Sequence, residues 1–250
     1  MRRSLNFRPW RRGPKVPHGL RIYAIGDIHG RADLLGKMFT AIDIDLVLHP
    51  SAHTLSVFLG DYIDRGPASR QVIDLLISRS RAHETALLRG NHETYVPQFL
   101  EDPAILEKWR MVGGLETLVS YGLNPSFNAN FEEQCQLADR FAAVLPLDHM
   151  RFFGMLQPSF CCGDFFFVHA GVKPGVPVEQ QREQDLLWIR HEFLRHEGSF
   201  GKMIVHGHAP VAEPEFRDNR INIDTGAYAT GKLTCLIIEH DELVTLNVIA

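Results

Sequence analysis

Two spacings of apolar residues organise the opening part of this chain. Arg21–Ile25 is a short, mostly apolar run that ends in Gly26-Asp27, and Leu55–Leu59 ends the same way in Gly60-Asp61. Thr85–Leu88 then leads through Arg89 into Gly90-Asn91-His92. Runs of this length, closed by glycine, read as strands. Between them Leu34, Leu35, Met38, Phe39 and Ile42, and later Val72, Ile73, Leu76 and Ile77, recur at three- and four-residue intervals. That is the spacing of a helix with one buried face.

Alternating strands and helices imply parallel strands joined by crossover helices. The polar residues that follow each strand then collect beyond the carboxyl edge of the sheet, where open α/β sheets bind ligands. A glycine before each of them lets the backbone turn sharply and come close to a ligand.

Further on the pattern changes. From about residue 94 to 156 it is helical: Leu106, Trp109 and Met111 precede Gly113-Gly114, Leu115, Leu118 and Val119 follow, and Phe131–Leu145 continues it. This stretch reads as a helical insertion on the α/β core. Strands return at Asp164–Val168, Met203–Val205, Ile221–Ile223, Leu233–Ile238 and Leu243–Val248, the last two joined by a hairpin turn at Glu239-His240-Asp241-Glu242.

Composition adds boundaries rather than chemistry. A chain of 250 residues, 45% hydrophobic and 22% charged, suits one soluble domain. A net charge of -4 gives no general reason for stable binding to nucleic acid or an anionic membrane. No apolar run approaches the roughly 18 residues of a transmembrane segment. Cys135, Cys161, Cys162 and Cys235 show no Cys-x-x-Cys spacing, and the expectation is free thiols in a reducing cytoplasm. Residues 1–19 carry no acidic residue and read as a basic, disordered tail ahead of a single domain from 20 to 250.

The chemistry lies at the strand ends: Asp27, His29, Asp61, Asn91, His169 and His206. Carboxylate, amide and imidazole donors without thiolate suit manganese, iron or zinc. The set is too large for one catalytic ion with an open position, and about right for two ions sharing a bridging carboxylate. A pair of ions about 3.5–4 Å apart can activate a bridging hydroxide and clamp both oxygens of an in-line displacement. The remaining histidines, His18, His49, His53, His83, His149, His191, His196 and His240, read as structural; His208 is balanced between packing and the second metal.

Gly-Asp-Ile-His-Gly at 26–30, Gly-Asp-Tyr-Ile-Asp-Arg-Gly at 60–66, Arg-Gly-Asn-His-Glu at 89–93, Val-His-Ala-Gly at 168–171 and His-Gly-His at 206–208 resemble the calcineurin-like metallophosphoesterases. More narrowly they resemble the phosphoprotein phosphatase branch, in its small bacterial serine/threonine form. The resemblance implies an α/β sandwich of two mixed β-sheets flanked by helices. It implies two divalent ions, manganese first, with iron or zinc as alternatives. Asp27, His29 and Asp61 would hold one, and Asp61, Asn91, His169 and His206 the other. His92 would be the general acid, oriented by Asp64, and Arg65 and Arg190 would bind the substrate phosphate.

Physical chemistry agrees with these roles. Guanidinium donors grip a phosphate dianion, and an alkoxide leaving group needs a proton. Arg89 is expected to pair with a carboxylate near the site, and Glu93 to support the loop after Asn91. Val112 stands before Gly113-Gly114 where bacterial relatives often have Asn, which bears on specificity. The expected substrate is a phosphoserine or phosphothreonine protein. This ranks ahead of dinucleoside polyphosphates or nucleic-acid phosphate ends, because Asp64, Arg65 and Glu93 are all present. A non-catalytic binding module is disfavoured, since no ligand, acid or phosphate arginine is missing.

Overall fold

The computed structural model describes residues 13–250. Along the chain run β1 (Leu20–Ile25), α1 (Ala32–Leu48), β2 (His53–Phe58), α2 (Ser69–Ala82) and β3 (Thr85–Leu87). Five helices follow: α3 (Tyr95–Glu101), α4 (Leu106–Trp109), α5 (Gly114–Ser120), α6 (Phe131–Val144) and α7 (Leu147–Met155). Next come β4 (Ser159–Cys162), β5 (Phe165–Val168), α8 (Glu183–Trp188), α9 (His191–Leu194), β6 (Met203–His206), β7 (Glu215–Phe216) and β8 (Arg220–Asn222). The chain closes with α10 (Ala227–Thr230), β9 (Lys232–Glu239) and β10 (Glu242–Ile249).

Among the described residues the strands form two five-stranded mixed sheets, ordered β10-β9-β1-β2-β3 and β4-β5-β6-β8-β7. Helices flank the pair, as the sequence pattern and the family resemblance led one to expect. Strand alternation explains the layering. Ile22, Ala24 and Val57 face Phe165, Phe167, Met203, Val205, Ile221 and Ile223 in a core between the sheets. Tyr23, Ile25 and Phe58 face the other way, onto Leu34, Leu35, Met38 and Ile42 of α1 and Val72, Ile73 and Leu76 of α2. On the second sheet Phe166, Val168 and Ile204 lie beneath Leu186 of α8 and Phe193 of α9. Each fully buried aliphatic or aromatic side chain contributes about 1.5–3 kcal/mol of apolar burial.

Register is what builds the site. In the first sheet β1, β2 and β3 are parallel, with Ile25 beside Phe58 and Phe58 beside Leu87. Their carboxyl ends therefore stop level, and Asp27, Asp61 and Asn91 emerge side by side. In the second sheet β5, β6 and β8 are parallel, with Phe167 beside Val205 and Val205 beside Ile221. His169, His208 and Asp224 leave that edge in the same way.

Residues 1–12 of the expected basic tail lie outside the described residues. The remainder of it, 13–19, lies against the fold: Val16 is buried in the inter-sheet core, and its amide donates to the His240 carbonyl (2.9 Å). Packing of one valine between the sheets thus ties this segment down. No helix among the described residues is long and apolar enough to cross a membrane. The four cysteines are unpaired.

Candidate metal centre

The three loops of the first sheet are drawn together by backbone hydrogen bonds before any side chain is considered. His29 and Ile28 donate their amides to the Asp61 carbonyl (2.8 and 3.1 Å). The Glu93 carboxylate accepts from the amides of Asp61, Tyr62 and Gly90 (2.9, 2.7 and 2.8 Å). A buried carboxylate holding three N–H groups is a structural clamp, and burial with the nearby Asp61 charge pushes its pKa up to about 7. Glu93 thus supports the loop, as expected. Arg89 pairs with Glu183 (2.6 Å), also as expected.

Asp61 occupies the middle. One oxygen lies 3.4 Å from His29 Nε2 and 3.8 Å from His92 Nε2, and the other lies 3.4 Å from His169 Nε2. Two donor groups able to hold a metal ion share this carboxylate: His29 with His92, and His169 with His208. Asn91 joins the second group, its Oδ1 2.9 Å from His169 Nε2. Asp27 borders the site through the His208 amide, which donates to its Oδ2 (3.0 Å).

Several features of this set fit a cation. Asp27 Oδ1 is buried and has no hydrogen-bond partner among the described residues. An unpaired buried carboxylate oxygen is costly unless an ion satisfies it. Burial, then the neighbouring charges of Asp224 and Asp61, holds the Asp27 carboxyl well above the usual range, so negative charge is crowded here. His29 and His169 donate Nδ1–H to the carbonyls of Ile63 (2.8 Å) and Leu59 (3.0 Å). In each neutral ring that puts the lone pair on Nε2, toward Asp61, the arrangement usual for metal-binding histidine. Burial lowers the pKa of His169, and burial above all takes His208 down to about 2. Neutral rings are what a metal needs. Two glycines leave the donors room: a Cβ at Gly90 would overlap Asp61 Oδ1, and one at Gly207 would overlap Asp27 Oδ1.

His206 is a correction. The sequence pattern places it in the ligand set, but its ring lies edge-on against Phe193 at 4.9 Å, and Nδ1 bonds to the Gly207 carbonyl (3.0 Å). The reason is strand alternation. His206 is the last residue of β6 and shares the outward face of Ile204, whereas His208 follows after a left-handed turn (φ 64°) that brings it back to the centre. His208 is the residue that meets His169, Nδ1 to Nε2 at 3.1 Å.

Backbone strain concentrates at this place. His29, Asp61, Asp64, Arg65 and His208 all have left-handed φ, leaving His240 in the β9–β10 hairpin as the remaining non-glycine case among the described residues. Such conformations cost about 1–3 kcal/mol each and persist where surrounding structure enforces them.

Around the core stand the candidates for proton donor and anion binding. His92 donates Nδ1–H to Asp64 Oδ2 (2.7 Å). Asp64 also accepts from Trp109 Nε1 (2.9 Å) and Thr117 Oγ1 (2.6 Å), so it orients His92 and does not cap α2. Burial would lower the His92 pKa, but Asp61 and Asp64 outweigh it and the net shift is upward. Arg65 donates to Nε2 of both His29 (3.0 Å) and His92 (3.1 Å), with its guanidinium 4.8 Å from the Tyr228 ring centroid. Its backbone amide donates to the Gly113 carbonyl (3.1 Å), so the Gly113-Gly114 turn after Val112 backs the arginine loop. Arg190 donates to His208 Nε2 (3.1 Å). Among the described residues neither Arg65 nor Arg190 forms an ion pair with a carboxylate.

Four residues here are not legible from the sequence in their roles: Trp109, Thr117, Asp224 and Tyr228. Asp224 had a signal, since it follows a strand in the manner of Asp27. The other three had none in local spacing.

Comparison with known proteins agrees with this geometry. A family model described as calcineurin-like phosphoesterase matches residues 20–236. The asymmetrical bis(5'-nucleosyl)-tetraphosphatase PrpE of Anoxybacillus flavithermus is 27% identical over 243 residues, covering 90% of this chain and 92% of that protein. A putative diadenosine tetraphosphatase has a similar structure, with a TM-score of 0.59 at 19% identity over 91% of this chain and 93% of the other. A serine/threonine protein phosphatase from Saccharomyces cerevisiae is similar in fold at a TM-score of 0.52, with 15% identity over 93% of this chain and 80% of the other.

Proposed function

The chain belongs to the calcineurin-like phosphoesterases, and we propose that it hydrolyses the polyphosphate bridge of dinucleoside polyphosphates at a centre of two divalent ions. The observation that carries this is the pair of arginines without carboxylate partners, one on each side of Asp61. Arg65 sits on His29 and His92, and Arg190 on His208. Guanidinium groups left free of acidic partners beside crowded donors are suited to a ligand with several phosphoryl groups. Its likeness to a dinucleoside tetraphosphatase over nine-tenths of both lengths supports the same substrate.

This reverses the ranking drawn from the sequence, where a phosphoprotein came first. Asp64, Arg65 and Glu93 carried that ranking, but their contacts serve needs common to both substrates. Glu93 holds backbone amides, Asp64 orients His92, and Arg65 awaits a phosphoryl oxygen. None of them alone distinguishes a protein from a nucleotide; the pairing of Arg65 with Arg190 across Asp61 is what favours several phosphoryl groups.

Asp27, His29 and Asp61 would hold one ion and Asp61, Asn91, His169 and His208 the other, with manganese the first candidate for this oxygen and nitrogen set. When bound, such ions polarise the phosphoryl group and supply a nucleophile at neutral pH. The protein does the rest. Arg65 and Arg190 hold the phosphoryl oxygens in line, and His92 Nε2 delivers a proton to the departing oxygen while Asp64 keeps the ring in place.

The test is turnover of diadenosine tetraphosphate against phosphoserine and phosphothreonine peptides by manganese-loaded protein. Chelator-sensitive cleavage of the dinucleotide, well ahead of the peptides, is expected; the opposite order would return the phosphoprotein to first place. The assignment of His208 is checked by metal content. His208→Ala should lose bound metal. His206→Leu should keep it, because the buried His206 Nε2 has no partner to lose among the described residues, and an apolar side chain suits the Phe193 face. Loss of metal in His206→Leu alone would return His206 to the ligand set.

A further inference from the structure

One unbroken series of contacts crosses the centre and ends on an exposed aromatic ring at either side. Tyr228 packs edge-on to His29 (centroids 5.4 Å), and His29 reaches one oxygen of Asp61 (3.4 Å). The other oxygen reaches His169 (3.4 Å), which packs edge-on to His208 (4.9 Å), and His208 to Trp188 (6.4 Å). Each end repeats the same trio of arginine, histidine and aromatic ring: Arg65, His29 and Tyr228, then Arg190, His208 and Trp188. Tyr228 is 40% exposed and Trp188 43% exposed, so both side chains are partly open to solvent.

Exposed aromatics are ordinary on protein surfaces. What sets these two apart is their place at the two ends of a phosphate-binding centre, on backbone that is held down. Tyr228 sits on α10, whose entry is fixed by Gly226 donating its amide to Asp224 (2.9 Å) and by Arg31 donating to the Ala227 carbonyl (2.9 Å). Trp188 ends α8, which accepts the amide of Ala170, next to His169, at the Leu186 carbonyl (2.8 Å). A planar base stacks on such a ring whatever its identity.

We propose that Trp188 and Tyr228 are stacking platforms that receive the two nucleobases of the substrate, one on each side of the metal centre. This rests on the dinucleoside polyphosphate reading of the same site. Its consequence is a substrate held at three points: a base at each end and the phosphate bridge between the two arginines. Selectivity would then fall on molecules with two bases, with tolerance for which bases they are.

The test measures the KM for diadenosine tetraphosphate and the Ki of inorganic tetrapolyphosphate, which has no base, in Trp188→Ala, Tyr228→Ala and the two Phe variants. Each Ala variant should raise the dinucleotide KM by about 5- to 150-fold, the worth of one base on one ring. The Phe variants should recover most of it, and the tetrapolyphosphate Ki should stay within about twofold of wild type. Tyr228 also touches Arg65, so a role exercised only through the arginine would weaken tetrapolyphosphate and dinucleotide alike. That result overturns the proposal, as does a dinucleotide KM that does not move. If wild-type protein leaves diadenosine tetraphosphate intact but dephosphorylates peptides, the underlying substrate reading fails. Normal cleavage with unmoved KM values would sink the stacking inference alone.

Discussion

Asp61→Asn is expected to release metal and to lower substrate turnover by about 10³-fold or more, because the proposed pair of ions would supply several kcal/mol at the transition state and each 1.36 kcal/mol is a decade in rate. The carboxylate is the one group common to both donor sets, with an oxygen toward His29 and another toward His169. An amide offers a single neutral acceptor. Its NH₂ would face either the His29 side or the His92 amide, which donates to Asp61 Oδ1 (3.1 Å). Charge is lost as well. Burial disfavours the ionised Asp61, yet the neighbouring His169, His92 and His29 outweigh it and the net shift of its pKa is downward, toward the carboxylate. Unfolding would be the trivial explanation, and Asn makes it easy to exclude. Asp61 has φ 52°, and Asn is among the few residues at ease in that region. Elemental analysis after dialysis, beside a thermal melt, gives the answer. Two tightly held ions in a folded Asp61→Asn protein would remove the bridging role.

How far the sequence foretold this site depended on whether a local rule applied. Asp27, Asp61 and Asn91 each follow a short apolar run and a glycine, so spacing alone was enough to place them along one sheet edge. Parallel register then brought them level. His206 failed because being near a strand end does not say which face a residue takes. One more β position kept it outward beside Ile204, and the left-handed turn at His208 has no composition signal of its own. Edge strands were lost for a similar reason. β4 is half-exposed Ser-Phe-Cys-Cys and β7 is Glu215–Phe216 alone, too short for a period to appear. Trp109 and Thr117 were legible as parts of a helical insertion, but their bonds to Asp64 span 45 and 53 residues. Such pairings are set by packing in three dimensions. The insertion consequently reaches the site: it holds the carboxylate that bonds to His92.

His92→Asn should separate substrates by their leaving groups. His92 is held at Nδ1 by Asp64, so Nε2 is the atom available to a departing oxygen, and an Asn amide there cannot transfer a proton. An alkyl phosphoester, such as phosphoserine, leaves as a strongly basic alkoxide and needs that proton. Its turnover should fall by about 10²–10⁴-fold. An aryl phosphate, or the polyphosphate leaving group of a dinucleoside tetraphosphate, departs as a weaker base and should lose much less. The upward shift of the His92 pKa, which Asp61 and Asp64 impose against burial, favours the protonated ring that a general acid needs. Asp64 therefore matters to the same step, through Trp109 and Thr117 behind it. The comparison also bears on what the enzyme is for. If anhydrides are its substrates, the acid is worth least on the proposed reaction, and the arginines and the metal centre should carry most of the rate. Equal losses on alkyl and aryl substrates would instead mean that His92 acts by holding the phosphoryl group, with Arg65, and not by giving a proton.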